Sequence, residues 1–426
     1  MTATIRIVAL AVVAALAAAA ILTPVQPVPT AEVAPNPAAA PYAVCPLGDA
    51  ARGTTALSMV GGEGGELALR VFSAGEIVVD EVIDMPAPVS GSVELNEFTG
   101  LARAPVLASL PDPAMAVEST FTGAGEAASV CDAGSPSTVI LPGGTTAEGE
   151  SYSVVLANPF SGSATVSIGA ASEVGTESDP GLAGVIVPPR SIVEVDISAL
   201  LPGRQSMSTS VTPIVGRVVA ASAQEGAGDL AAVAGVEPSG DWFLPVPAVR
   251  ASRSLVLATA GTADVPFQLD VYGPDGLVEA AYENTVPARG QFSIRVGELV
   301  EEEGALRVVA AAPVAAALRL AGDGTRAVVP GVSRLSPSWL LPGAGRLGPS
   351  TAYLFNPGEI EVEADILSGN GRRVLTSVTV PGGTMVGVEV STAHAARIEA
   401  DGDLAVTWLT VVEAGVAGDA AVPSFP

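Results

Sequence analysis

A single histidine, His394, two cysteines, Cys45 and Cys131, and a few runs of carboxylates are the residues with which this chain of 426 could do chemistry. One histidine excludes a two-histidine zinc motif, and the complete absence of lysine removes the usual phosphate-binding loop. No Gly-x-Ser-x-Gly elbow occurs. A Ser-His-Asp triad would have to be assembled around His394, in a linker between strand-like runs where a surface or turn role is the ordinary one. Glu359, Glu361, Glu363 and Asp365 alternate with Ile360, Val362 and Ala364, which predicts four acids on one face of a strand. Such a row attracts cations or a basic partner, but its commonest role is a solvated face that discourages edge-to-edge pairing. Glu301, Glu302 and Glu303 lack the Asp/Asn-Gly spacing of a calcium loop, and Asp401-Gly402-Asp403 is only a fragment of one. The expectation is therefore no catalytic residue, no metal site and no cofactor.

Charge narrows the partners. Nineteen basic residues against 45 acidic ones give a net charge of −26, which repels a phosphate backbone and argues against nucleic acid. Hydrophobic residues make up 49% but aromatics only 4%, so cores must be built from Val, Leu, Ile and Ala. The 47 glycines and 35 prolines suit short strands and turns better than helices.

These residues are carried by a unit that recurs about every hundred positions. Its clearest copy runs from Trp339 through Leu341-Pro342-Gly343, a strand ending in Asn356-Pro357, and a corner at Val380-Pro381. Trp242 and Leu244-Pro245 stand 97 residues upstream of Trp339 and Leu341-Pro342, Leu141-Pro142-Gly143 opens an earlier copy, and Asn158-Pro159 precedes Asn356-Pro357 by 198. Corners recur at Met85-Pro86, Val187-Pro188 and Val286-Pro287. Self-similarity of this kind outranks any single residue. The third copy reads as seven strands in about 97 residues, with period-two alternation in Phe292, Ile294 and Val296 and turn signals at Gly273-Pro274-Asp275-Gly276 and Gly322-Asp323-Gly324, and the fourth has Gly369-Asn370-Gly371. That rhythm predicts an all-β chain of four tandem immunoglobulin-like sandwich modules, 42–137, 138–238, 239–335 and 336–426. A four-stranded propeller blade would repeat at about half the period.

Ahead of the modules, Arg6 and an apolar run of 16 residues from Ile7 to Leu22 have the layout of a secretory signal or signal anchor over 1–22. A Pro/Ala-rich linker, 23–41, has the composition of an extended stalk. Export makes a Cys45–Cys131 disulfide the expected pairing, since Cys45 falls in the first strand of its module and Cys131 in the last; two free buried thiols are the alternative. Trp242 and Trp339, at equivalent points of the repeat, are expected as core anchors rather than sugar-stacking platforms. Asn158-Pro159 and Asn356-Pro357 are expected as turns that end a strand.

With the Trp/Leu-Pro-Gly start, the Asn-Pro strand end and the Val-Pro corner laid out, the chain resembles a family of secreted actinobacterial proteins of unknown function, and more widely bacterial surface repeats with the same three signals. The resemblance spans residues from about Tyr42 onward and implies an extracytoplasmic sandwich array with no activity attached. The third and first copies depart from it, with Thr259-Ala260 and Val60-Gly61 in place of Asn-Pro. The resulting expectation is a non-enzymatic exported cell-envelope protein, secreted or held to the cytoplasmic membrane only by an uncleaved N-terminal segment, with a structural or protein-interaction role. Binding of envelope polysaccharide is the second reading, and a hydrolase of unrecognised type the third.

Overall fold

The computed structural model describes residues 42–45, 53–62, 64–73, 75–95, 106–110, 115–123, 125–132, 134, 137–226, 229–274, 276–300, 302–322, 325–390, 395–412 and 415–423. The predicted signal (1–22), the linker (23–41) and His394 lie outside them. The first repeat contributes β1 (Tyr42–Cys45), β2 (Gly53–Val60), β3 (Gly65–Ser73), β4 (Glu76–Met85), β5 (Ser90–Glu94), β6 (Val106–Ser109), β7 (Ala116–Gly123) and β8 (Glu126–Val130). The second contributes β9 (Val139–Gly144), β10 (Glu150–Asn158), β11 (Ala164–Ser172), β12 (Gly175–Glu177), β13 (Val185–Val187), β14 (Ser191–Asp196), β15 (Met207–Val215), β16 (Val219–Gly226) and β17 (Asp229–Ala234). In the third, β18 (Ser239–Val246), β19 (Ser252–Ala258), β20 (Val265–Gly273), β21 (Gly276–Val286), β22 (Gln291–Arg295), β23 (Gly304–Gly322) and β24 (Thr325–Pro330) follow. The fourth has β25 (Ser336–Leu341), β26 (Ser350–Asn356), β27 (Val362–Ser368), β28 (Val374–Val380), β29 (Thr384–Val390), β30 (Ala396–Val412), β31 (Gly415–Ala420) and β32 (Val422–Pro423).

Every repeat folds into the same pair of antiparallel sheets. In the first the orders are β1-β6-β3-β4 and β5-β2-β7-β8; in the second, β12-β11-β15-β9 and β14-β10-β16-β17. In the third and fourth, one long strand serves both sheets. β23 pairs with β18 and β20 along its first half, then with β19 and β24 along its second, and β30 does the same between β25 and β27, then β26 and β31. The sandwich class expected from the repeat is what forms. The strand order within it is not the ABED-against-CFG order of an immunoglobulin domain: here the third strand pairs with the fourth and with the penultimate strand's first half.

The last strands decide how the repeats sit together. β8 packs on β17, β17 on β24, β24 on β31, and β31 back on β8, so four sheet edges meet at one axis and close a cycle. Their sequences permit it, because Ala127, Ala128, Ala231, Ala232, Ala327 and Ala417 are small enough for strands to approach side by side. Pro41–Pro426 accordingly forms one compact unit rather than a row of independent domains.

Two seams between neighbours share one device: the opening strand of one repeat lies on the next. β9 lies on β23 and β19, and β18 lies on β30 and β26. Phe243 and Tyr272 of the third repeat enter the core of the fourth against Phe355, with ring centroids 6.2 and 4.7 Å away. The glycine of Leu-Pro-Gly is needed there. A Cβ on Gly343 would stand 2.8 Å from the carboxyl carbon of Glu118 in the first repeat, and one on Gly143 would stand 3.1 Å from Val328 of the third.

Candidate functional site

The motif residues of the sequence form structural clamps. Trp242 and Trp339 are buried, with Nε1 of Trp242 donating to the Ser239 and Val314 carbonyls and Nε1 of Trp339 to the Ser336 carbonyl. Trp408 is buried as well, so none of the three tryptophans offers a face for a sugar. Asn158 Nδ2 donates to the carbonyls of Gly162 and Val187, while its Oδ1 accepts from Phe160 N. Asn356 repeats this on Ile360 and Val380, with Oδ1 accepting from Gly358 N. The two sequence signals, Asn-Pro and Val-Pro, are thus the two ends of one side-chain bridge. Pro159 and Pro357 hold the preceding asparagine extended and end the strand at the bridge. In the third repeat Thr259 Oγ1 takes the accepting half of the role, from Gly261 N. Asn356→Ala should leave the buried Val380 carbonyl unpaired, together with a carbonyl and an N–H at the partly exposed end of the corner, and cost about 1–2 kcal/mol in urea unfolding; a change below half a kcal/mol would mean the bridge is idle.

Cys45 and Cys131 are joined by a disulfide, Cα to Cα 4.6 Å, beside a bridge between Val44 and Asp132. The carboxylate row behaves as a solvated face: Glu361, Glu363 and Asp365 are exposed, and the latter two accept from the cross-strand hydroxyls of Thr379 and Ser377. The predicted alternation fails at Ile360, which is 81% exposed because β27 begins only at Val362. Asp401 accepts from Glu363 N where β30 crosses between sheets, a structural use of the Asp-Gly-Asp fragment. Among the described residues no group of three or more His, Cys, Asp or Glu is placed to hold a metal ion.

Two places outside those motifs collect polar groups. One is a cleft of about 410 Å³ between the β11–β15 face of the second repeat and the Thr259-Ala260 and Arg289-Gly290 turns of the third. Its floor is made of small residues, among them Ser167, Gly169, Ser208 and Ser210. Buried Gln291 ties the two sides together: its Oε1 accepts from Ser208 Oγ, and its Nε2 donates to Ser206. Glu177, on the cleft wall, is bound by Arg204 and accepts from Ser172 Oγ, and the arginine holds its carboxyl below the usual range.

The other is the central axis. Asp229, 3% exposed, accepts backbone N–H groups from all four repeats: Leu230 beside it at 2.8 Å, Arg326 at 2.5 Å, Glu126 at 3.4 Å, and Val416. One carboxylate therefore caps the free edges of β8, β24 and β31, the buried N–H groups that sheet edges otherwise leave unpaired. Arg326 adds an ion pair to Glu150 and a bond to the Gly226 carbonyl. Burial pushes the Asp229 carboxyl up, against the pull of those N–H donors, and pushes Glu126 up with help from the charge of Asp229. At the other end of the axis Glu118 Oε2 accepts from Gly343 N at 2.8 Å and Asp419 Oδ2 from Val130 N at 2.9 Å. Burial raises both acids, Glu118 well above its usual range with Asp419 adding to it, and Asp419 to about 7.

Residues 101–391, well over half of the chain, match the model of a family of unknown function, DUF5719. The chain belongs to that family. The matched stretch of this DUF5719 chain contains both asparagine bridges, Glu118 and Asp229, while Cys45 and Asp419 lie outside it. No curated protein matches the sequence. Among solved structures, a tetra-tandem repeat in the extending region of a large adhesion protein is similar at 15% identity, over 91% of this chain and 100% of that one, with a TM-score of 0.11, a score at which the likeness carries no argument.

Glu118, Asp229, Asp419 and Arg326 went unnoticed in the sequence reading. Aligning the four last strands on their pairing registers would have exposed one of them: Asp419 stands where the other repeats carry Ser129, Val233 and Val329.

Proposed function

We propose that this DUF5719 protein is a non-catalytic, exported cell-envelope element whose role is structural or to present surfaces to other envelope proteins. The observation that supports this best is the use of its ionisable residues. Of the four carboxylates with raised proton affinity, Glu118, Asp229 and Asp419 are closed off from solvent and spent on joining repeats, where a catalytic acid or base would need to reach a substrate, and Glu126 is half-buried beside Asp229. The signal-like N-terminus and the strongly acidic composition fit an exported, soluble body. A disulfide within the first repeat fits an oxidising compartment.

The hydroxyl-floored cleft between the second and third repeats favours polysaccharide binding as a second reading, since a row of serines suits a polyol. Small-angle scattering and isothermal titration of the purified chain against an envelope polysaccharide extract separate the two. The structural reading expects a compact particle with unchanged dimensions and no heat of binding. Saturable heat, or soluble fragments released from the extract, would replace it with a binding or hydrolytic role.

A further inference from the structure

Three of the four seams around the axis are crossed by the polypeptide itself, at residues 131–138, 235–238 and 331–335. Among the described residues, the fourth, between the first and last repeats, is held by the packing of β8 on β31, by Ala128 set into the core of the fourth repeat, by side chains, and by a small apolar contact of Val60, Ala116, Leu340 and Ala395. On its rim Arg346 pairs with Glu94, and Arg372 donates to the Ala87 carbonyl. Its centre is built from two acids. Glu118 reaches across to Gly343 N, and Asp419 reaches back to Val130 N, so each side contributes one carboxyl and one amide.

Among the described residues, the surroundings of this pair hold no compensating cation. Of those residues, the ones facing Glu118 among the described residues are Ser58 on β2, Val130 on β8, Trp408 on β30, Gly343 and, as the only titratable group, Asp419. Facing Asp419 are Val130 on β8, Trp408 directly opposite it on β30, and the apolar strand β24, whose Arg326 side chain is turned to Glu150 and the Gly226 carbonyl at the far end of the axis. The nearby Arg346 is engaged by Glu94. Glu118 Oε1, Ser58 Oγ and Trp408 Nε1 are buried without a hydrogen-bond partner. Two negative charges in this dry, uncompensated centre would repel each other across the seam that joins the ends of the cycle.

We propose that the seam between the first and fourth repeats is a proton-held latch: it stays shut while Glu118 and Asp419 share at least one proton and opens when both are ionised, freeing the edges of β8 and β31. The direction follows from linkage. The closed state holds more protons than the open one between the ordinary carboxylate range and the raised values of the pair, so closure weakens as pH rises through that window and is fully present below it. Asp419 is raised to about 7 and Glu118 well above its usual range, so the loss builds up from the ordinary carboxylate range and is complete only when the second of the two protons has left.

Hydrogen exchange of the full chain, corrected for intrinsic rates, reads this directly. Between about pH 5 and 9, peptides covering β8, β31 and Gly343 should lose about tenfold or more of their protection relative to peptides covering β10 and β19. The double variant Glu118→Gln, Asp419→Asn cannot ionise and should keep the seam protected across the same range. Infrared absorption of the wild type provides a check that needs no variant: a protonated carboxylic acid band should be present at mildly acidic pH and vanish in step with the exchange. Protection independent of pH, equal loss at all four seams, the same loss in the double variant, or no protonated carboxyl band would each overturn the latch.

Discussion

Asp229→Ala should be the most damaging single substitution in the interior, costing about 4 kcal/mol or more in denaturant unfolding. The reasoning is a count of orphaned donors. The carboxylate accepts N–H groups of Leu230, Arg326, Glu126 and Val416, and each buried donor left unpaired costs roughly 1–3 kcal/mol. Because those donors belong to four repeats, the loss should appear as weakened cooperativity between repeats as well as a lower midpoint. Asp229→Asn keeps one acceptor oxygen but turns an amide NH2 toward other donors, so it should fall between alanine and wild type. A midpoint shift in Asp229→Ala worth less than 1 kcal/mol would show that water replaces the carboxylate and that the axis is wetter than its burial implies.

Reducing the disulfide, or replacing both cysteines by serine, should destabilise the chain by about 4–5 kcal/mol in the chain-entropy model, given a separation of 86 residues between Cys45 and Cys131. The effect should be local to the first repeat. Cys45 lies on β1 and Cys131 directly follows β8, so the bridge ties the outermost strand of one sheet to the strand at the axis. Exchange protection in β1 and β8 should drop before that of β10 or β19. Equal losses in all four repeats would instead mean that the cycle unfolds as a single cooperative unit and that the bridge acts through the unfolded chain alone.

What could be seen in advance was local. Asn158 and Asn356 were legible as strand ends because a proline after an asparagine restricts the backbone there, whatever lies around it. The partner of each asparagine, the corner carbonyl of Val187 or Val380, was visible only as a second recurring motif. In the third repeat β23 runs unbroken through Pro313: it begins at Gly304 and pairs with β20 as far as Ala310. Proline is tolerated at that point because the strand is leaving one sheet for the other, where a ladder bond is missing anyway.

The repeat period, the all-β class, the cysteine pairing and the lack of lysine and of a second histidine were properties of the sequence alone, since each depends on residue identity and spacing. The closed cycle of repeats was not. Four alanine-rich last strands look like ordinary edges in one dimension, and a row of modules exposes them as readily as a cycle buries them. Only the tertiary structure brings Glu126, Asp229, Arg326 and Val416 to one point and sets Glu118 opposite Asp419 from 301 positions away in the chain. Carboxylates scattered through an acidic sequence read as solubility. Their proton affinities and their partners are set by burial and by the free sheet edges beside them, and both come into being only when the axis closes.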